Sequence, residues 1–396
     1  MSTLAVPGLL QEVRRYGRFD VNACLSCGSC TVVCNLSNGS ASFPRKPIRR
    51  ALLGLKGSLC GGLEPWLCHD CGDCSVACPR QAEPRESMMT LRRYLIAQYD
   101  FTRLASKVLG SRIGEILTLS LVGLLVFALV LVYHLYYMKV PMTVSEFVST
   151  EMGFEHMFPT IWNFTIVVLL IPAVLLLINT IRMHRLALPG NDHVKIPLRS
   201  YFVEATTAFV HMFSHTNIRK CIQGIHKIRW TKHWLLGMAV SMMLFIKFFF
   251  LDWFQTDLIH PIYHPQRWLG YCAAAILLYI PLDILVGRIK KRVEMHKFSE
   301  PSDLILPVML LLVALSGLAV HVFRYLEFAL TSHILYAVHL AIAVPLVLIE
   351  LPFGKWSHAF YRPIALYFQA VRERALTEEK VDQPSEELVP AGVESA

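Results

Sequence analysis

The sequence is short of charge. Only 17% of its 396 residues are Asp, Glu, Lys or Arg, against 54% hydrophobic, where a water-soluble globular chain carries about 25% charge. So apolar a composition excludes a disordered chain, and 21 Gly with 21 Pro is far too few for collagen. The first twenty residues hold Arg14, Arg15 and Arg18 but lack an apolar run of secretory length, so no signal peptide is expected. The composition also excludes a secreted disulfide scaffold, and thiols expected to stay in a reducing cytosol are free to bind metal. The first hundred residues also lack a nucleophile–base pair, a phosphate loop and a dinucleotide fingerprint. They are not a reaction site.

What they have is cysteine. Nine of the 11 cysteines fall between Cys24 and Cys78, and only Cys221 and Cys272 come later. Cys24, Cys27, Cys30 and Cys34 form one run, and Cys68, Cys71, Cys74 and Cys78 a second, followed by Pro79. Both have the C-x2-C-x2-C-x3-C spacing of two-cluster ferredoxins. Three close thiolates wrap one face of a cubane, and the fourth, on the following helix, swings to the other. The spacing therefore predicts Cys24, Cys27, Cys30 and Cys78 on a first 4Fe-4S cluster, and Cys68, Cys71, Cys74 and Cys34 on a second. Gly28 and Gly72 give room for the tight turns. The bland alternative is structural zinc, which uses paired C-x2-C cysteines; two full runs in this register fit clusters better. Cys60, Cys221 and Cys272 read as ordinary thiols. Two adjacent clusters pass single electrons, so the head reads as a wire.

From about residue 105 the composition changes. Apolar runs of 19–25 residues occupy 113–137, 158–181, 233–251, 268–287, 303–323 and 333–353, each long enough to cross about 30 Å of hydrocarbon as helix. Six such runs argue against the buried helices of a soluble protein. Nine Lys or Arg lie between Arg182 and Lys232 and five between Arg288 and Lys297, while the other loops hold one each: Lys139, Arg267 and Arg324. Cation-rich loops face the cytosol, so both termini are expected inside. The net charge of +9 is then a topology signal, and no nucleic-acid partner is expected. Residues 201–213 read as a short amphipathic helix on the inner interface. The chain from Thr377 onward is acidic, with prolines, and reads as disordered. The fold expected is mainly α: a cytosolic, α-helical, ferredoxin-like two-cluster domain at 1–104; a six-helix transmembrane bundle at 105–374 with an interfacial segment at 182–232; and a disordered acidic tail at 375–396.

A wire joined to a membrane needs an acceptor or donor there, and ionisable side chains at membrane depth mark function by default. Two histidines on facing helices can ligate a haem iron axially. His233 enters the third span from the cytosolic side and His358 lies at the cytosolic exit of the sixth, so they pair by depth around an inner haem b. His321 and His339 share a level near the outer side and pair around an outer one, with Met242 or Met243 as an alternative partner for His339. His134, His260, His264 and His333 lie near the outer boundary and read as interface residues. Lys247, about fourteen residues or 21 Å into the third span, has two readings. It snorkels to the outer headgroups, or it donates a hydrogen bond to a quinone carbonyl.

These motifs carry a resemblance. The head resembles the small iron–sulfur subunit of heterodisulfide reductases, including Trp66 before the second cysteine run. The membrane part is similar to the haem b subunit of those enzymes and to the respiratory nitrate reductase gamma subunit. That similarity rests on His339-Leu-Ala-Ile, on Pro352-Phe-Gly-Lys-Trp-Ser-His358 with Pro363 beyond, and on Lys220-Cys221 followed by Arg229-Trp-Thr-Lys-His233. The fusion of both halves, over residues 10–370, resembles the QmoC members of quinone-interacting membrane-bound oxidoreductase complexes (Qmo). The resemblance implies haem b in the bundle, menaquinone as lipid substrate, and two soluble flavin/iron–sulfur subunits of QmoA and QmoB type. It also implies adenylylsulfate reductase as the distant partner in dissimilatory sulfate reduction, and a bacterial cytoplasmic (inner) membrane. Two departures stand out. His339 and His358 are 19 residues apart, one more than in the nitrate reductase relatives, and nineteen steps of about 100° miss the same face by about 100°. A kink or bulge near Pro345 or Pro352 is needed to absorb the extra residue. Met243 stands where those relatives carry a second third-span histidine. Other readings are a heterodisulfide-reductase-like complex with another soluble acceptor, and a six-span transporter or anchor with a redox-sensing head.

Overall fold

The computed structural model describes residues 4–37, 42–111, 113–136, 154–188, 196–214, 225–256 and 258–382. These are mostly helical, with no strand among the described residues. Lys139, Lys195, Arg219, Lys220 and Cys221, and the side chain of His134, lie outside them.

Among the described residues, six helices are long and apolar enough to cross a membrane: Gly114–Tyr133, Pro159–Ala187, Ile228–Phe249, Pro265–Ile289, Pro301–Tyr325 and Leu330–Phe353. They coincide with the six apolar runs. Between 11% and 33% of each apolar window is buried inside the protein, so most of these side chains point outward. Leu121, Leu125, Leu129 and Leu177 are each more than half exposed. A soluble protein hides such rows, whereas a bilayer solvates them.

Local chemistry sets the helix ends. Pro265 and Pro301 open the fourth and fifth spans, where the missing N–H has no partner to lose. The fifth span also has a reciprocal cap, with Glu300 and Asp303 each bonding the other's backbone N–H. The sixth span is less regular. It runs as α-helix over Ala329–Pro345, widens into a π-helix over Leu346–Glu350, resumes over Leu351–Phe353, and stops at Gly354. A 3-10 turn, Lys355–Ser357, leads into a new helix, His358–Asp382. A π-segment inserts about one residue into a helix, and the break at Gly354 then places His339 and His358 on separate helices.

The head is not a loose appendage. Its helix Pro84–Tyr99 has little exposed surface, and one apolar core joins Leu9, Trp66, Leu91 and Tyr94 to Leu176 and Met183 of the second span and to Tyr361 and Phe368 of the C-terminal helix. The rings of Trp66, Tyr99 and Tyr361 meet at 5.3–6.4 Å and are fully buried. Each buried ring contributes about 1.5–3 kcal/mol of transfer free energy. Trp66 therefore bolts the head to the membrane part.

The interfacial helix spans Leu198–Ser214, wider than the expected 201–213. It packs on the C-terminal helix through Tyr367, whose hydroxyl donates to the Tyr201 carbonyl at 2.9 Å. The indoles of Trp230 and Trp234 donate to the carbonyls of Ser214 and Phe213 at its end. The tail differs from expectation: the chain is helical as far as Asp382. Pairs four residues apart support that helix, Gln369 with Glu373 and Arg374 with Glu378, and Arg374 also reaches Glu204 at 3.2 Å. Residues 383–396 of the expected tail lie outside the described residues.

Candidate redox sites

The two cysteine runs fold alike. In the first, Ser26 and Gly28 have φ of 57° and 87°; in the second, Asp70 and Gly72 have 56° and 97°. Two left-handed residues in five turn the chain sharply enough to aim three thiols at one point, and glycine takes that conformation without strain. Each loop points an amide at its first sulfur, Ser26 N–H to Cys24 Sγ and Asp70 N–H to Cys68 Sγ, both at 3.4 Å. The amide of Ala82 donates to Cys78 Sγ, also at 3.4 Å. N–H···S bonds of this kind tune iron–sulfur centres. Each loop then enters a one-turn helix, Ser29–Val32 or Asp73–Val76, which carries its third cysteine.

The fourth cysteines cross over. Cys24, Cys27, Cys30 and Cys78 line one pocket, and no other cysteine lines it. Cys34 instead neighbours Cys68 and Cys71, and Cys74 neighbours the same two and Cys34. The first set opens to solvent at Cys27, while Cys68 and Cys74 are buried. Burial, with like neighbours adding to it, pushes the Cys34 thiol up to about 12 and raises Cys74 still further. Buried thiols that oppose each other's ionisation need a cation among them to become thiolates. Among the described residues no three His, Cys, Asp or Glu side chains converge on a single metal ion. Four cysteines in each set, at C-x2-C-x2-C spacing with a crossed fourth, fit a 4Fe-4S core. Cys60 is buried with its thiol pushed up to about 11 by that burial, and it joins neither set.

His233 and His358 meet across the bundle. Their ring centroids are 6.1 Å apart, with planes inclined at 65°. Two imidazoles sharing one metal ion, at about 2 Å per bond and about 1.1 Å from nitrogen to centroid, would stand about 6.2 Å apart. Nδ1 of His358 donates to the Lys355 carbonyl at 2.6 Å, leaving Nε2 as the ligand atom. That carbonyl is the usual orienting partner of a metal-binding histidine. The pair fits axial ligation of haem.

His321 and His339 are given separate partners instead. Nε2 of His321 is 2.7 Å from the Tyr271 hydroxyl, and its Nδ1 accepts from Arg267 at 3.3 Å. Both ring nitrogens are thus engaged. His339 has its Nδ1 on Ser316 Oγ at 2.9 Å. Its ring lies against Gly317, where a Cβ would stand 3.2 Å from its Cε1. The Lys247 ammonium sits 5.1 Å from the centroid of the Phe254 ring, which lies past the C-terminal end of the third span, and bears electrostatically on His339.

Between the clusters and the histidine pair lies a layer the sequence reading passed over. Arg229 is one turn before His233, and Arg362 one turn after His358. Arg229 donates to the Asp70 carbonyl at 2.9 Å, and Arg362 donates to Nδ1 of His69 at 2.7 Å. Both acceptors belong to the loop between Cys68 and Cys71. Arg92 donates to the carbonyls of Pro65 and Cys68. Although burial opposes its charge, Arg85 and Arg229 hold the Asp70 carboxyl well below the usual carboxylate range. The four-residue spacing of each arginine from its histidine was the available signal.

With this geometry in place, comparisons with known proteins are informative. Residues 20–82 match the 4Fe-4S dicluster domain family. The head is a 4Fe-4S dicluster domain. A protein of Archaeoglobus profundus, named as similar to the C component of heterodisulfide reductase, is 32% identical over 100 residues, which is 25% of this chain and 53% of that protein. The C component of the H(2):CoB-CoM heterodisulfide,ferredoxin reductase of Methanothermobacter thermautotrophicus is 29% identical over 101 residues, 26% of this chain and 54% of its own. An iron–sulfur component of the CoB–CoM heterodisulfide reductase of Methanocaldococcus jannaschii is 38% identical over 72 residues, 18% of this chain and 38% of its own. The chain spans about half the length of the first two relatives. No solved structure matches.

Proposed function

We propose that this chain is a membrane electron-transfer subunit of a quinone oxidoreductase complex. Cys24, Cys27, Cys30 and Cys78 would hold one 4Fe-4S cluster, Cys68, Cys71, Cys74 and Cys34 the other, and His233 with His358 a haem b. Bound there, these groups supply one-electron chemistry. The observation that carries the reading is the arginine pair: Arg229 and Arg362 tie the helix turns bearing both histidines to the Cys68–Cys71 loop. A short, rigid polar bridge of this kind keeps the second cluster site at a fixed separation from the histidine pair.

The chain's own groups suggest how electrons enter and leave. The first cluster set faces solvent at Cys27, which suits exchange with two soluble flavin/iron–sulfur subunits and, beyond them, adenylylsulfate reductase. The outer half of the bundle, at His339 and Lys247, suits menaquinol, with Lys247 donating to a quinone carbonyl and His339 as ligand of an outer haem b. The cation count of the loops supports a multi-pass protein of the cytoplasmic membrane with both termini in the cytosol. The boundaries 1–104 and 105–374 then divide a cytosolic domain from a membrane domain. The names of the relatives favour a second reading, a heterodisulfide-reductase-like complex with a different soluble acceptor. A dithionite-reduced minus oxidised spectrum of the purified chain tests the core of both readings. A haem b band is expected, and its absence overturns them.

A further inference from the structure

Two carboxyls lie deep in the protein with no role in holding a cluster or a haem. Glu115 is in the first turn of the first span, and Glu350 closes the π-segment of the sixth. Glu115 is 3% exposed and Glu350 0%. The first span packs against the π-segment, and the two side chains approach each other there. By strict geometry neither oxygen of Glu350, nor Oε1 of Glu115, has a hydrogen-bond partner, and the backbone N–H groups of Lys355 and Trp356 face the Glu350 carboxyl.

The charged groups that face the pair are Arg93 of the head helix, Asp303 of the fifth span and Lys355 of the 3-10 turn. None of the cations bonds the pair. Arg93, Lys355 and, from the fourth span, Arg288 all converge on Asp303, Arg93 at 3.5 Å and Arg288 at 3.8 Å. Asp303 takes the local positive charge, and the two glutamates are left facing each other. Adjacent buried carboxyls without a cation cannot both ionise. A proton shared between them would relieve that opposition.

The pair is linked to the histidine site. A Cβ on Gly354 would stand 2.4–2.6 Å from the Glu350 carboxyl, so only glycine fits between that carboxyl and the turn. The next residue, Lys355, supplies the carbonyl that orients His358. The Lys355 side chain bonds Asp303 and is 31% exposed, so the layer is not sealed on that side. The π-segment thus does two things at once: it resets the register before His358 and turns Glu350 inward. An ionisable pair at such a place in a membrane bundle marks function by default.

We propose that Glu115 and Glu350 form a shared proton site that takes up one proton from the cytosolic side when an electron reaches the His233–His358 site and returns it when the electron leaves. This rests on the haem reading above. A quinol supplies the electron. The quinol gives up its two electrons one at a time and releases its own two hydroxyl protons at its own site; at the glutamate pair, the added negative charge is balanced by one proton from the cytosolic side, whose O–H bond forms on reduction and breaks when the electron leaves.

Infrared spectroscopy of the whole purified chain tests it, with Glu350→Gln and Glu115→Gln as variants. Expected are a protonated-carboxyl stretch in the oxidised wild type that is sensitive to deuterium oxide, a change in that band on reduction, and its loss in both variants. The midpoint potential of the haem should depend on pH in the wild type and lose most of that dependence in each variant. No such band in the wild type, or a band and pH dependence unchanged in both variants, overturns the proposal. Iron and sulfide content reports whether each variant has folded, and if neither folds the wild-type titration decides alone. A wild type without haem b overturns the functional reading instead, and the infrared pH titration still reads the proton between the two glutamates.

Discussion

Arg362 donates to Nδ1 of His69 at 2.7 Å, joining the helix that begins at His358 to the loop between Cys68 and Cys71. Residues nearly three hundred positions apart thereby become one rigid unit. Arg362 is largely desolvated, and burial pulls its guanidinium down to about 9. That cost is worth bearing only if the bond positions something.

The first prediction follows from that bond. Arg362→Leu removes a charged hydrogen bond of about 1.5–3 kcal/mol and frees the Cys68–Cys71 loop. Electron paramagnetic resonance of the reduced protein should show the second cluster broadened or lost and the first unchanged. Stopped-flow reduction of the clusters through the haem should slow about tenfold or more, the rate equivalent of about 1.4 kcal/mol. Two unchanged cluster signals with normal kinetics would remove Arg362 from the path.

Cys78→Ser tests the crossover. Cys78 follows Cys68, Cys71 and Cys74 in sequence but lines the pocket of Cys24, Cys27 and Cys30. The variant should damage the cluster of that pocket and spare the other. Cys60→Ser, by contrast, should leave iron and sulfide content at about eight each per chain, as two cubanes require.

How much of this was legible beforehand depended on sequence distance. The cysteine runs are local codes, so their tight turns could be read from spacing, and the same spacing suggested the crossover that Cys78→Ser tests. Long apolar runs are equally local, and six spans were read where six occur. A kink or bulge near Pro345 or Pro352 was expected from the spacing of His339 and His358, and the chain has both a π-helix at Leu346–Glu350 and a break at Gly354. The pairing of His321 with His339 was argued from depth alone, which fixes height in the bilayer but not direction around a helix. Tyr271, Arg267 and Ser316 decide direction. The polar layer could not be seen, because Arg93 and Asp303, or Glu115 and Glu350, are joined only by folding. Only 375–382 of the expected tail are described, and they continue the helix, where Arg374 pairs with Glu378, a contact that composition does not record.

Asp303 is the keystone of that layer. It accepts from Lys355, pairs with Arg93 and Arg288, and caps its own helix by accepting the Glu300 N–H at 3.1 Å. Asp303→Ala would leave three cations beside each other without an anion. Breaking a buried ion network costs about 3–5 kcal/mol. The head should become susceptible to limited proteolysis at concentrations that leave the wild type intact. Asp303→Glu, which keeps the charge, should recover part of the resistance.

His233→Ala and His358→Ala should each abolish the same haem signal, because the loss of one axial ligand frees the other. The 6.1 Å between their rings allows nothing else of protein between them. If the two variants lose different haems, the pairing is wrong. His321→Ala should leave every low-spin haem signal in place, since both its ring nitrogens are already engaged by Tyr271 and Arg267.

Lys247 is the remaining test, and its position sharpens the choice. A lysine in the outer half of a span costs several kcal/mol on insertion scales. Part of that cost is offset where the ammonium sits over the face of Phe254, 5.1 Å from its centroid, an arrangement worth about 0.5–2 kcal/mol. That contact alone is snorkelling with an aromatic rest. The same ammonium also acts on His339, and an ammonium beside a haem-ligand candidate stabilises the negative charge that develops on a quinone carbonyl during reduction. Lys247→Leu separates the two roles. As a quinone ligand, Lys247 predicts intact haem spectra and reduction by a menaquinol analogue slowed about tenfold or more, with Lys247→Arg recovering much of the rate. As a snorkelling residue, it predicts normal reduction in both variants and at most a small loss of thermal stability. Normal kinetics in Lys247→Leu would end its assignment to the quinone.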